Sequence, residues 1–81
     1  MSLNPVEVVP LPGPGGQMLP RRFRGRTGWV DVAEIIDRWY QGKGDPEWPP
    51  ADYFKVLGAD QRVYLLKHEL DSDKWYLARE W

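Results

Sequence analysis

Eighty-one residues without a cysteine make one small domain with no disulfide framework and no thiolate zinc site, which fits a reducing cytoplasm and weighs against a secreted scaffold. Eleven basic against twelve acidic residues give a formal net charge of −1 at pH 7, so the molecule as a whole is not built to be drawn to polyanions. Five Trp, four Tyr and two Phe are the large side chains available to fill a small core, and no apolar run approaches the length of a membrane span.

Residues 1–4 are expected to be disordered, and the N terminus lacks the basic-then-apolar pattern of a signal peptide. Val6 to Val9 form a β-rich run between Pro5 and Pro10, which suits a short strand at a sheet edge, where proline is tolerated. From Pro10 to Gln17 six of eight residues are Pro or Gly, so residues 10–19 read as a loop. Polyproline II is the lesser alternative there, since no charge-flanked PxxP repeat is present. A strand then ends near Arg24, turns through Gly25 and Gly28, and returns from Trp29 as a hairpin.

Trp29 to Tyr40 fits two templates unequally. Trp29, Val32, Ala33, Ile36, Trp39 and Tyr40 fall on one helical face, and Asp31 with Glu34 has capping-box spacing. As a strand, Val30, Val32 and Ile36 alternate only if Glu34 is a misfit or a bulge intervenes. Periodicity alone therefore favours a helix over 30–41. Residues 42–51 form a second Pro/Gly loop, with Trp48 inside it as either a plug on the core or an exposed anchor.

Tyr53 to Leu57, Arg62 to Leu70 and Lys74 to Trp81 are β-rich runs separated by turn compositions at 58–61 and 71–73, which predicts an antiparallel meander. In the last run Trp75, Leu77 and Trp81 share one parity, and Tyr76, Ala78 and Glu80 the other. Trp39, Phe54, Trp75 and Leu77 are the expected core.

Taken in order, Phe23-Arg24-Gly25-Arg26, Val30 with Val32, Asp37-Arg38-Trp39, Tyr53-Phe54-Lys55-Val56, Val63-Tyr64-Leu65 and Lys74-Trp75-Tyr76-Leu77-Ala78-Arg79 resemble a small bacterial domain-of-unknown-function family. Members of that family occur alone or at the C terminus of Y-family DNA-polymerase-like proteins linked to induced mutagenesis. The resemblance runs over residues 6–81. Each piece is short, and their order carries the likeness. One departure stands out: where the family carries a further aromatic or basic residue before its turn, this chain moves straight from Arg24 to Gly25-Arg26. The resemblance implies an all-β fold with Trp29 to Trp39 as a strand, reversing the helical periodicity, and a role near DNA repair. The expected architecture is a strongly curved antiparallel meander sheet or partly open barrel of five or six strands. An α+β fold with one helix at 30–41 is the alternative.

Hydrolytic chemistry needs a nucleophile or metal beside a tuned base. His68 is the single imidazole and stands between Lys67 and Glu69 without metal-ligand spacing; Ser2 and Ser72 are the only serines. Asp31, Glu34 and Asp37, spaced by three, would not share one face of a strand, and Asp71 with Asp73 reads as turn chemistry. Gly13, Gly15 and Gly16 lack the following Lys-Ser/Thr of a phosphate loop. No catalytic residue, metal or cofactor is expected, and an enzyme ranks third among the readings.

The local charge signal is Arg21, Arg22, Arg24 and Arg26. On a strand Arg22, Arg24 and Arg26 project from one face, where they could track phosphates while Trp29, Trp48 or Tyr53 stack on bases. The simpler expectation pairs them with Asp31, Glu34 and Asp37 across the hairpin. These seven residues, Arg21, Arg22, Arg24, Arg26, Trp29, Trp48 and Tyr53, are the candidate binding surface. The leading expectation is a non-catalytic module for a protein partner, with single-stranded nucleic acid second, no membrane association, and an oligomeric state that the sequence leaves open.

Overall fold

Turn chemistry and strand alternation set the architecture, which is seen in a computed structural model describing residues 4–42 and 49–81. Seven strands form one antiparallel sheet: β1 (Asn4–Pro5), β2 (Val8–Pro12), β3 (Met18–Gly25), β4 (Gly28–Gln41), β5 (Ala51–Gly58), β6 (Val63–Glu69) and β7 (Lys74–Glu80). Their order across the sheet is β1-β7-β6-β5-β4-β3-β2, and the sheet curls into a half-barrel. The curved all-β architecture is therefore as expected, with seven strands in place of five or six.

The extra strands come from the N-terminal segment. Asn4, expected to be disordered, pairs with Leu77 in β1. The segment read as a loop over 10–19 instead carries β2 through Pro12, a single 3-10 turn at Pro14–Gly16, and the start of β3 at Met18. Prolines 10 and 12 are compatible with β2 because it is the last strand of the sheet, where one side needs no donors. Residues 4–12 also bridge the two margins of the sheet. The Val6 amide donates to the Trp75 carbonyl at 3.1 Å, and the Arg24 amide donates to the Glu7 carbonyl at 2.9 Å.

The helix considered at 30–41 is a strand, and its register explains the misleading periodicity. Pairing with β5 skips Ala33, between Val32↔Gly58 and Glu34↔Leu57, and skips Ile36, between Ile35↔Val56 and Asp37↔Lys55. Each bulge shifts the side-chain phase by one residue. Val30, Val32 and Ile35 consequently all reach the core, and the Arg38 guanidinium lies 5.5 Å over the Phe54 ring. Inward steps of two, three and three residues imitate a helical stripe.

The concave face holds Phe23, Val30, Phe54, Val56, Tyr64, Leu66 and Trp75, with Val6, Val8, Leu19, Val32, Ile35 and Leu77 packed around them. Two tryptophans lie outside this core, one of which, Trp39, was expected in it. Trp39 stands on the outer face opposite Tyr53: the phase shifts at Ala33 and Ile36 cancel, so it keeps the outward face that alternation from Val30 gives it. A further bulge at Ala78, between Leu66↔Leu77 and Leu65↔Arg79, turns Glu80 inward opposite Tyr64 and leaves Trp81 exposed. The loop tryptophan, Trp48, lies outside the described residues. Among the described residues no helix is long and apolar enough to cross a membrane.

Candidate interaction surface

Alternation along β3 sends Phe23 into the core and Arg22 and Arg24 to the outer face, where β4 places Asp31 and Trp29 directly opposite them. Arg22 Nε lies 3.4 Å from Asp31 Oδ1, out of line for a hydrogen bond, and its guanidinium carbon stands 5.0 Å from the centre of the Trp29 ring. Arg24 reaches Glu7 at 3.8 Å. Arg26 reaches Glu80 at 3.6 Å, and Arg62 approaches the same carboxylate at 3.9 Å. Arg21 is exposed, with no acid within 4 Å among the described residues. Such exposed pairs stabilise little individually, on the order of 0.5 kcal/mol. Of the acids expected to oppose the arginines only Asp31 does so; Glu7 and Glu80 are the other partners, while Asp37 accepts from the neighbouring Arg38 amide at 2.8 Å.

The seven sequence-predicted residues do not form one surface. Arg22, Arg24 and Trp29 meet on the β3–β4 hairpin, and Arg26 sits at the hairpin's rim near Glu80. Tyr53, on β5, lies beside the opposite end of β4, where its ring stacks on Trp39 at 5.4 Å with 7° between the planes. Its hydroxyl donates to Gln41 Oε1 at 3.1 Å, and Lys67 Nζ lies 5.8 Å from the ring centre. Sequence reasoning missed Trp39 as an outer-face residue, because its size argued for the core while strand alternation from Val30 sends it outward. Trp81, which shares the sequence parity of Trp75 and Leu77, is exposed and carries Lys55 at 5.0 Å and Arg79 at 4.5 Å.

Elsewhere the polar groups are engaged in holding the fold. His68 is buried, stacks on Trp75 at 4.1 Å, and places Nε2 2.7 Å from Asp73 Oδ1. Arg38 reaches Asp52 at 3.3 Å on the neighbouring strand. The Tyr64 hydroxyl donates to Asp60 in the β5–β6 turn. That hydrogen bond holds the Asp60 carboxyl below its ordinary range. Burial, with the bond to Asp60 added, pushes the Tyr64 phenol up to about 12. Among the described residues no group of three His, Asp or Glu side chains is placed to hold a metal ion.

These contacts decide what the exposed aromatics can do. A stacking platform for bases combines exposed aromatic faces with basic side chains, whose cation–π contacts add to it. Here the Trp29 ring is covered by Arg22, Trp81 carries Lys55 and Arg79, and Trp39 has Tyr53 on one face. Exposed Trp and Tyr with adjacent guanidiniums are also residue types enriched in protein–protein hot spots. No protein-family model, no curated protein and no solved structure matches this chain.

Proposed function

We propose that this chain is a non-catalytic interaction module that docks on a protein partner through the second half of β4. The observation that carries this reading is the exposure of Ile36 and Trp39, at 44% and 42%, in a chain whose small core leaves them out, with Tyr40 exposed on the other face at the strand's end. Large apolar side chains held in water on a rigid strand lose little conformational entropy on docking and offer a partner substantial area to bury. The arginines of β3 have acids beside them, which weakens a phosphate-tracking role. Because the order of its motifs resembles that family, we propose to seek the partner first among DNA-damage-tolerance proteins, beginning with Y-family polymerase-like mutagenesis proteins.

Size-exclusion chromatography and titration with such a purified protein test the proposal. A stable complex is expected, weakened about tenfold or more by Ile36→Ala with Trp39→Ala and unchanged by Arg22→Ala with Arg24→Ala. The opposite pattern overturns it. Tight, steeply salt-dependent binding to a single-stranded oligonucleotide of about 16 nucleotides, lost with the two arginines, would assign the chain to nucleic acid instead.

A further inference from the structure

The β3–β4 hairpin is paired only near its turn. Its ladder runs from Gly25↔Gly28 to Arg22↔Asp31 and stops there. Beyond that point β3 stays with β2 back to Met18, while β4 follows β5 from Val32 to Gln41. The β3-facing side of β4 is therefore an open strand edge among the described residues. Ala33, Glu34 and every residue from Ile36 to Tyr40 are exposed, whereas no residue of the neighbouring β5 is. Chain length keeps the rest of the molecule off Ala33 to Asp37. Residues 1–3 precede β1, which three strands separate from β4. Residues 43–48 are tethered at Gly42 and Pro49, which at about 3.5 Å per residue limits their reach to about 12 Å, while Asp37 lies roughly 16 Å along the strand from Gly42.

Two bulges shape this edge and decide what it accepts. Skipping Ala33 and Ile36 brings Asp31, Glu34 and Asp37 to the same outer face, although their spacing of three would divide them in a regular strand. Arg22 approaches Asp31. Glu34 and Asp37 have no base within 4 Å among the described residues, and Lys55, directly opposite Asp37, lies over Trp81 instead. On the inner side Val32 and Ile35 carry the core out to the edge. An added strand would meet carboxylates outside and aliphatic side chains inside. Bulges also increase twist, which hinders flat pairing between the edges of two folded copies, whereas a flexible segment takes up the twist as it binds.

We infer that the open edge of β4 takes an extended segment of the protein partner, alternating basic with apolar residues, as an added strand along Val32 to Asp37. Backbone N–H and C=O groups supply the attraction, Glu34 and Asp37 select Lys or Arg, and Val32 and Ile35 receive the apolar residues. The inference rests on the proposed docking through β4 and adds the mode of binding and the chemistry of the bound segment.

Fluorescence anisotropy with a labelled peptide of about eight alternating Val and Lys residues tests it, since that length spans the open edge at roughly 3.3 Å per residue. The Val/Lys peptide is expected to bind, and Glu34→Lys with Asp37→Lys to weaken it about tenfold, equivalent to roughly 1.4 kcal/mol. The same peptide N-methylated at alternate residues should lose binding. Amide resonances of Val32 to Asp37 should move during the titration, with cross-strand contacts from the peptide to β4. Failure of the Val/Lys peptide to bind overturns strand addition, as does equal binding by the N-methylated form or by a Val/Glu peptide. The complex with the purified partner, and its sensitivity to Ile36→Ala with Trp39→Ala, scores the docking separately. Peptide binding without that complex overturns the docking and leaves strand addition standing; the complex without peptide binding does the reverse.

Discussion

Truncation of Phe54 to alanine is expected to lower the stability of the domain by about 4 kcal/mol. The ring has no solvent exposure, lies among Val56, Leu66 and the Trp75 indole at 5.7 Å, and is capped by the Arg38 guanidinium. Its loss removes both the transfer free energy of the ring and the contacts of its neighbours, since a curled sheet stitched by seven antiparallel strands cannot collapse freely into the gap. Small domains have a total stability of about 5 kcal/mol or little more, so the variant should be largely unfolded at modest urea. Ile36→Ala, at an exposed bulge, should change stability by less than about 0.5 kcal/mol. Urea unfolding followed by tryptophan fluorescence compares the two, and similar midpoints would place the core elsewhere.

A second large effect is expected from the addition of one methyl group. Gly58 closes β5, is buried, and has Asp60 Oδ1 against the position that a Cβ would take, with Val30 Cγ1 at 2.8 Å and Tyr64 Cε1 at 3.3 Å. None of these neighbours yields easily. Val30 is part of the core, and Asp60 is held by the Tyr64 hydroxyl on one oxygen and by the Arg62 amide at 3.1 Å on the other. Gly58→Ala must therefore displace a β-branched core residue or break the turn's hydrogen bonds, at a cost of about 2 kcal/mol. With a urea dependence of about 1 kcal/mol per molar, the midpoint should fall by about 2 M. A midpoint within experimental error of the parent would mean that the turn gives way at no cost. Tyr64→Phe should make Gly58→Ala less costly, because it releases one of the two restraints on Asp60.

Strand content and antiparallel order in the C-terminal half were legible because β5, β6 and β7 are separated by turns of unmistakable composition and begin in strict alternation. The inward placement of Phe54, Trp75 and Leu77 followed from that alternation. Part of what was hidden comes from bulges, each of which changes the phase of the residues up to the next bulge without changing composition. Ala33 and Ile36 shift the inward positions from 34 and 36 to Ile35 and then back into phase at Arg38, and Ala78 reverses the phase of Trp81. The edge role of the proline-rich segment was hidden for another reason. Proline forbids a central strand but not an outermost one, and which strand lies outermost is a property of the whole sheet. At the candidate surface, the paired reading of the arginines was legible in kind. Its partners Glu7 and Glu80 were not, because they are brought in from distant strands by closure of the seam.

Heteronuclear NMR of the full chain measures directly whether Val30 to Tyr40 is a doubly bulged strand. Cross-strand contacts from Ile35 to Val56 and from Arg38 to Phe54 are expected, with Ala33 and Ile36 skipped in the ladder. Sequential amide–amide contacts and i to i+3 contacts across the same residues would mark a helix, remove Trp39 from the outer face, and contradict both the curled sheet and the surface built on it.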